Sequence, residues 1–343
     1  MAFLTGLGIF IGLILLYLIV IIFFPVLSVP EQPIDMKTEE KREVPKSRQD
    51  VEFSVDGEII RAWLYLPENA PEKVPCIVMS QGFGGTKDSV VLDPYAQRFT
   101  EAGFAVLTYD FRHFGESDGE PRQLFDIVKQ YNDLRAAINY ARGRNDIDPE
   151  KIFLWGTSAS GGYGLVIAAE DHDIAGVIAQ CPGIDHDVDS KLFFENYGIG
   201  HFLRLFVHAQ RDKGRSRFGL SPHRYPIVGK PGTMAMLSAP GAFEGYANLL
   251  KGSETFKNEV CARALLMAHG PDPVESSAEV KCPVLFLVCD HDNLASPDSY
   301  KRAADALGKK AKVVSYPIGH FDIYVGEYLE KAVAEKIDFL KKI

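Results

Sequence analysis

Residues 152–161 of this chain are Ile152-Phe153-Leu154-Trp155-Gly156-Thr157-Ser158-Ala159-Ser160-Gly161, an apolar run followed at once by small side chains. The run predicts a buried strand, and the apolar residues after it predict a helix over residues 163–169. A serine at such a turn is typical of a nucleophile elbow, whose strained backbone demands small residues two places before and after it. Gly156 and Ser160 meet that demand, although Ser160 stands where glycine is usual. The alternative is that Ser158 only caps the following helix.

Two later strand ends carry the side chains that a nucleophilic serine needs. Residues 283–289 form a continuous apolar run that leads into Asp290-His291-Asp292, and residues 311–316 form a short β-rich run before Gly319-His320. Open α/β sheets assemble their sites at the carboxyl ends of their strands. The order Ser158, then Asp290 or Asp292, then His320 therefore predicts a serine-histidine-aspartate site.

Two more segments complete a resemblance to the α/β-hydrolase family, which covers the chain from about residue 51 to its end. Residues 76–85, CIVMSQGFGG, are similar to the strand and His-Gly-type oxyanion loop of that family, with Gln81 in place of histidine. Residues 104–119, FAVLTYDFRHFGESDG, resemble its D-x-R-G-x-G-x-S-x-G segment, with His113 where glycine is common. Residues 119–123 and the helix with Gln130 and Asp133 are most similar to dienelactone-hydrolase-like proteins and to fungal polyketide transferases and thiohydrolases.

The resemblance implies a fold and a set of roles. The expected α/β fold is a mostly parallel sheet flanked by helices, with a helical cap insertion. Ser158 would be the nucleophile and His320 its base, and Asp292 is preferred to Asp290 because residues 292–296 align with the family's D-x-V-V-P turn. Backbone N–H groups of Phe83 and Ala159 would form the oxyanion hole. Serine at position 158 also excludes the haloalkane and epoxide branches of the family, which need an aspartate nucleophile.

Charge and cysteine content exclude other classes of function. The net charge of −9 over 343 residues argues against a nucleic-acid partner, because phosphate binding needs a concentrated basic surface. Three of the five cysteines, Cys76, Cys181 and Cys289, fall in apolar runs, where cysteine is usually a small buried hydrophobe. The chain lacks Cys-x-x-Cys and His-Glu-x-x-His spacings, so we expect neither a metal nor a cofactor.

The first 28 residues carry no charged side chain and contain an apolar core from residue 9 to 24. About 20 apolar residues span a bilayer, so residues 1–28 are predicted to be a single transmembrane anchor. The basic residues that follow favour a cytosolic catalytic domain: Lys37, Lys41, Arg42, Lys46 and Arg48. The alternative is a cleaved signal peptide and a secreted protein, because residues 26–28 would pass as a cleavage site.

The rest of the chain is divided by composition. Residues 29–50, with Pro33, Pro45 and mixed charge, are predicted to be a polar tether, and residues 51–343 a hydrolase domain. Asp56-Gly57 predicts a hairpin turn between two strands. The β-α alternation lapses over about 185–279, the predicted cap. Its aromatic and methionine side chains would line an acyl pocket or form the core of the cap itself: Phe193, Phe194, Tyr197, Phe202, Phe206, Phe218, Met234, Met236 and Phe243.

The leading functional hypothesis is a serine hydrolase that cleaves an ester or thioester of an apolar acyl group through an acyl-enzyme. A second hypothesis keeps the acyl-enzyme but passes the acyl group to an alcohol or amine. A third, from another class, is a non-catalytic protein that binds a lipid or partner at the membrane. Loss of Ser158, Asp292 or His320 would favour the third, and all three residues are present.

Overall fold

The computed structural model describes residues 2–38, 43–68, 72–89, 92–267 and 270–343. Lys41 and Arg42 of the predicted tether lie outside these ranges. The main sheet contains β1 (Arg48–Val55), β2 (Glu58–Tyr65), β3 (Val74–Ser80), β4 (Ala105–Tyr109), β5 (Ile147–Thr157), β6 (Ile174–Gln180), β9 (Val284–Cys289) and β10 (Ala311–Tyr316), and the short β7 (Arg224–Tyr225) pairs with β8 (Val260–Cys261). The helices are α1 (Ala2–Phe23), α2 (Leu92–Glu101), α3 (Ile127–Arg142), α4 (Tyr163–Glu170), α5 (His186–Arg217), α6 (Ala242–Leu249), α7 (Pro273–Ser276), α8 (Lys301–Leu307) and α9 (Gly326–Leu340).

The main sheet has the order β1-β2-β4-β3-β5-β6-β9-β10. Its first two pairings, β1 with β2 and β2 with β4, are antiparallel, and the others are parallel. The predicted hairpin is confirmed, because Asp56 and Gly57 have φ values of 52° and 82°, as a tight turn with two left-handed residues requires. The expected mostly parallel α/β sheet is therefore confirmed.

Helices cover both faces of the sheet, as the near-continuous apolar strands require. Tyr95 and Phe99 of α2 share one buried cluster with Val333 and Phe339 of α9. On the opposite face, α3, α4 and α8 contribute buried apolar side chains to a second cluster. The two layers leave the carboxyl ends of β3, β5, β6 and β9 open toward the insertion.

The insertion between β6 and β9 contains α5, α6, α7 and the two-stranded sheet of β7 and β8. It is therefore helical in large part but not entirely, because residues 224–225 and 260–261 pair as antiparallel strands. Asp185 caps α5 by accepting hydrogen bonds from Asp187 and Val188. Within α5, Gly198 has a φ of 69°, so α5 consists of two helices joined at a kink.

The predicted anchor forms α1, which is long and apolar enough to cross a bilayer. Residues 29–36 of the predicted tether lie against the insertion rather than apart from it. The N–H of Gly252 donates to the Met36 carbonyl at 2.7 Å, and the Asn258 side chain donates to the Gln32 carbonyl at 2.7 Å. The tether also ends earlier than its predicted boundary, because pairing of Arg48 with Tyr65 starts β1 at residue 48.

Candidate active site

Ser158 lies directly after β5 and has a backbone conformation that residues other than glycine rarely adopt. Its φ is +55°, a strained value for a residue with a Cβ atom. A Cβ atom at Gly156 would lie 2.2 Å from the Ser160 carbonyl oxygen, so the turn requires glycine there. Helix α4 begins at Tyr163, with Gly162 as its N-cap, so Ser158 does not cap it. Of the two interpretations left open by the sequence, an elbow and a helix cap, the geometry favours the elbow.

Ser160 holds this turn to the neighbouring strand. Its hydroxyl accepts a hydrogen bond from the Thr157 N–H at 3.0 Å and donates to the Ser80 carbonyl at 2.8 Å. Because Ser80 ends β3, this contact joins the carboxyl ends of β3 and β5. In the sequence Ser160 was considered only as a small residue. The serine in place of the usual glycine was the one sign that its hydroxyl has a role in the turn.

His320 and Asp292 are brought together by the loops after β10 and β9. The imidazole Nδ1 of His320 and the carboxylate Oδ2 of Asp292 are 2.6 Å apart. The other oxygen, Oδ1, accepts hydrogen bonds from the N–H groups of Leu294 at 2.8 Å and Ala295 at 3.0 Å. These donors fix the carboxylate and so fix which oxygen faces the imidazole.

Asp290, the alternative acid, points elsewhere. It is exposed, and its carboxylate accepts a hydrogen bond from the Ser315 hydroxyl at the surface. The geometry therefore pairs His320 with Asp292.

The environment of His320 stabilises its protonated form. Burial by itself would lower the pKa of this imidazole, but the negative charge of the Asp292 carboxylate and its hydrogen bond raise the pKa to about 9. The sulfur of Cys181 lies within 4.8 Å of donor atoms of both residues. Among the described residues these three donors could hold a metal ion, but the 2.6 Å hydrogen bond already occupies facing atoms of Asp292 and His320.

Ser158 and His320 line one cavity together with Tyr246, Leu249 and Tyr324. A second, larger cavity meets the first at Phe83 and Ser158 and extends under the insertion. Apolar side chains make up much of its lining, among them Phe125, Ile184, Met236, Leu237, Leu265 and Leu294. An apolar chain can therefore reach Ser158 from this side.

The predicted oxyanion loop lies against Ser158. A Cβ atom at Gly82 would be 3.1 Å from the Cβ of Ser158, which shows how closely the loop backbone approaches. The Tyr246 hydroxyl of α6 donates to the Phe83 carbonyl at 2.9 Å, so the insertion holds the loop from above. The Gln81 side chain donates to the Tyr109 carbonyl at 2.8 Å, which ties the start of the loop to the end of β4.

Asp110 anchors the far end of that loop. Its carboxylate accepts hydrogen bonds from the Lys87 N–H at 2.7 Å, the Lys87 ammonium at 2.7 Å and the Glu116 N–H at 2.9 Å. Lys87 and Asp110 are both buried. The D-x-R-type segment that begins at Asp110 therefore supports the loop that carries Phe83.

Sequence reasoning missed a buried polar chain beneath the elbow. The ammonium of Lys336, on α9, donates to the Gln180 side chain and lies 3.8 Å from the ring centroid of Tyr95. Gln180 donates in turn to the Thr157 hydroxyl at 3.4 Å. Burial holds the pKa of Lys336 well below its usual value. A lysine on an amphipathic helix gives no signal in sequence that it points inward.

Known proteins share this architecture over most of the chain. Residues 56–201 match a family model described as X-Pro dipeptidyl-peptidase (S15 family). The chain is 39% identical over 300 residues to the quorum-quenching protein AidA of Acinetobacter baumannii, and the alignment covers 88% of this chain and 96% of AidA. It is 38% identical over 314 residues to the polyketide transferase grgF of a Penicillium species, with 86% and 96% covered. The crystal structure of the α/β hydrolase GrgF from Penicillium sp. sh18 superposes with a TM-score of 0.70 at 25% identity, covering 87% of this chain and 99% of GrgF.

The chain belongs to the α/β-hydrolase superfamily. The superfamily predicted from sequence is therefore confirmed, and fungal polyketide transferases are among the relatives of this chain. Because its relatives include proteins named transferase, thiohydrolase and hydrolase, the protein is an enzyme of that superfamily.

The structure places several of the aromatic and methionine side chains of the insertion. Phe193, Met234, Met236 and Phe243 pack against the core, as the packing interpretation predicts. Met236 also lines the larger cavity. Phe194 and Phe218 do neither, because both are exposed at the surface.

Proposed function

We propose that this protein is a serine hydrolase that cleaves an ester or thioester through an acyl-enzyme on Ser158. The observation that carries the proposal is that Ser158, on a strained turn, lines the same cavity as His320, whose Nδ1 is held 2.6 Å from Asp292. A serine hydroxyl is a weak nucleophile until an adjacent base takes its proton. This arrangement supplies such a base and fixes its tautomer.

In the proposed reaction, Ser158 attacks the acyl carbon as its hydroxyl proton passes to Nε2 of His320. The negative charge that develops on the carbonyl oxygen is stabilised by hydrogen bonds from the backbone N–H groups of Phe83 and Ala159. The imidazolium, stabilised by Asp292, returns the proton to the departing alcohol or thiol, which leaves an acyl group on Ser158. Water, deprotonated by His320, then releases the acid and restores the serine.

The substrate is proposed to be an apolar acyl compound, because the larger cavity beside Ser158 is lined mainly by apolar side chains. Acyl transfer to an alcohol or amine is the second candidate, and the relatives named polyketide transferase favour it. Cyclic esters are also worth testing, since they open by the same acyl-enzyme chemistry as linear esters.

The test is a substrate panel with matched variants of the full-length protein. Short- and long-chain linear esters, acyl thioesters, lactones and an X-Pro anilide are compared, each with and without added alcohols. The proposal expects ester or thioester turnover that is lost in Ser158→Ala and retained in Ser89→Ala, a change to another serine lining the cavity. Acylated alcohols as the main product would favour transfer, and turnover of the X-Pro anilide alone would contradict the proposal.

We also propose that α1 anchors the enzyme in a membrane as a single span, with the catalytic domain in the cytosol. Its support is the length and apolar character of α1. Alkaline carbonate extraction followed by N-terminal sequencing tests it. The anchor predicts an intact N-terminus in the pellet, whereas a soluble chain starting near Val29 would show a cleaved signal peptide and a secreted protein.

A further inference from the structure

Among the described side chains of α1, from Leu4 onward, burial against the hydrolase domain is concentrated at the carboxyl end. Ile21 and Ile22 are buried there, whereas most side chains from Leu4 to Tyr17 are exposed. The partner is the second half of α5, where a Cβ atom at Gly214 would lie 2.5 Å from Ile22. A bilayer that contains α1 must therefore place its surface close to α5, at the end where α1 leaves the hydrocarbon.

Two arginines of α5 hold this contact. Arg211 donates to the carbonyls of Ile21 and, at 2.6 Å, of Phe24, and Arg215 donates to the carbonyl of Ile22 at 3.0 Å. The last carbonyls of a helix have no partner within the helix, so these arginines satisfy them and complement the helix dipole. The position of α5 along the axis of α1 is thus fixed by hydrogen bonds as well as by packing.

The same helix exposes large apolar side chains to solvent. Its outer face, defined by Ile199 and Leu203 after the kink and by the C-cap residue Phe218, has exposed fractions of 61% (Ile199), 53% (Leu203) and 61% (Phe218). The helical spacing of Ile199, Leu203 and Gly214 keeps them on one side of α5, and Phe218 follows at the C-cap. The ring of Phe218 lies 5.1 Å from the ring of Phe23, so the outer face is continuous with the end of α1.

The charge of this region is opposite to that of the whole protein. Residues 196–223 contain five Lys or Arg side chains and one acid, Asp212, in a chain whose net charge is −9. Asp212 is buried and accepts hydrogen bonds from the N–H groups of His223 and Arg263, so it does not offset the basic surface. Arg204, Lys213 and Arg217 are exposed beside the apolar residues.

We propose that the outer face of α5 is a docking surface for an anionic lipid bilayer, in which it lies in the headgroup region beside the emerging α1. A helix with an apolar face flanked by Lys and Arg is the type that lies in the membrane interface, with its apolar side chains about 5–10 Å deep. The proposal rests on the proposed anchor, since α1 sets the depth of α5. It places the insertion that covers the larger cavity at the membrane surface, where apolar acyl substrates partition.

Lipid quenching in the full-length protein tests the proposal. The variants Leu203→Cys and Phe218→Cys are each labelled at the new cysteine with an environment-sensitive fluorophore. They are then reconstituted in vesicles of phosphatidylcholine and phosphatidylglycerol that contain nitroxide-labelled lipid as the quencher. Val128→Cys and Val313→Cys are matched controls, because these apolar side chains are 41% and 40% exposed elsewhere on the domain. Leu13→Cys reports on α1, and the parent protein gives the background from the buried native cysteines.

The expected result is quenching at positions 203 and 218 that exceeds the two controls several-fold and weakens when phosphatidylglycerol is omitted. Quenching at position 13 with positions 203 and 218 at control level would overturn the docking surface and leave the anchor standing. Absence of quenching at position 13 would overturn both. Protection of 203 and 218 from iodide without lipid quenching would show a protein partner there, and would equally overturn the proposal.

A functional measurement separates this inference from the proposed chemistry. Leu203→Asp combined with Phe218→Asp is expected to lower the turnover of a long-chain ester in vesicles several-fold and to leave a water-soluble short-chain ester unaffected. An equal loss with both esters would contradict the docking role. An unmodified protein inactive toward both esters would contradict the proposed function, while the quenching result would still decide the surface.

Discussion

Asp292→Asn is the substitution whose effect the geometry defines most closely. The N–H groups of Leu294 and Ala295, at 2.8 Å and 3.0 Å, demand an acceptor at the Oδ1 position. Asparagine has one oxygen, so that oxygen goes to Oδ1 and its NH₂ group takes the Oδ2 position, 2.6 Å from Nδ1 of His320. The imidazole must then accept a hydrogen bond at Nδ1 and carry its proton on Nε2, where it cannot receive the proton of Ser158.

The expected loss is large because the tautomer is wrong in nearly every molecule. The corresponding change in serine proteases lowers kcat by about 10⁴. At about 1.4 kcal/mol for each tenfold change, that is about 5.5 kcal/mol of lost transition-state stabilisation. The fold should persist, since asparagine has the same shape as aspartate and keeps the two backbone hydrogen bonds.

The assay is the initial rate of ester or thioester hydrolysis, measured beside Asp290→Asn as the matched control. Asp290 is exposed and bonded only at the surface, by Ser315, so its neutralisation should change kcat by less than about twofold, as surface changes usually do. A greater loss in Asp290→Asn than in Asp292→Asn would refute the assignment of the acid. Equal mild losses would refute the role of this loop in catalysis.

The remaining predictions concern pH, stability and the elbow. The imidazole of His320 must be neutral to act as a base, and its pKa is raised to about 9, so kcat/KM should fall as the pH drops below that value. In Asp292→Asn the pH at which kcat/KM falls should be lower, because the carboxylate that raises the pKa is gone. A pH profile of the variant that falls at the same pH would contradict the assignment. Asp133→Ala removes the buried partner of Arg112, 2.6 Å away, and should lower the free energy of unfolding by about 3 kcal/mol, read from urea denaturation, whereas a change below about 1 kcal/mol would mean that the pair is solvated. Gly156→Ala places a Cβ atom 2.2 Å from a backbone oxygen of the elbow and should lower kcat about 100-fold by displacing Ser158, while unaltered kinetics would refute the strained turn.

The sequence predicted those parts of the fold that depend on local pattern. Apolar runs such as 152–155 and 283–289 predicted buried strands, and the Asp56-Gly57 pair predicted the hairpin that the φ values confirm. Ser158, Asp292 and His320 were predicted to lie together because each follows a strand, and parallel strands bring their carboxyl ends to one edge of the sheet.

The parts that escaped prediction depend on contacts between distant segments. Ser160 binds the carbonyl of Ser80, and Lys336 reaches Gln180 across 156 residues of chain. The insertion was the hardest part, because a methionine that lines the cavity and a phenylalanine exposed at the surface have the same apolar character in sequence. Packing alone separates Met236 from Phe218.

Labelling by a fluorophosphonate, followed by peptide mapping, tests most directly whether Ser158 is an activated nucleophile. If Ser158 is activated by His320, one adduct per chain is expected on Ser158, and it should be absent in Ser158→Ala, much slower to form in His320→Gln and unchanged in Ser89→Ala. Undiminished labelling of Ser158→Ala, or an adduct on another residue of the unmodified protein with Ser158 free, would contradict this role of Ser158.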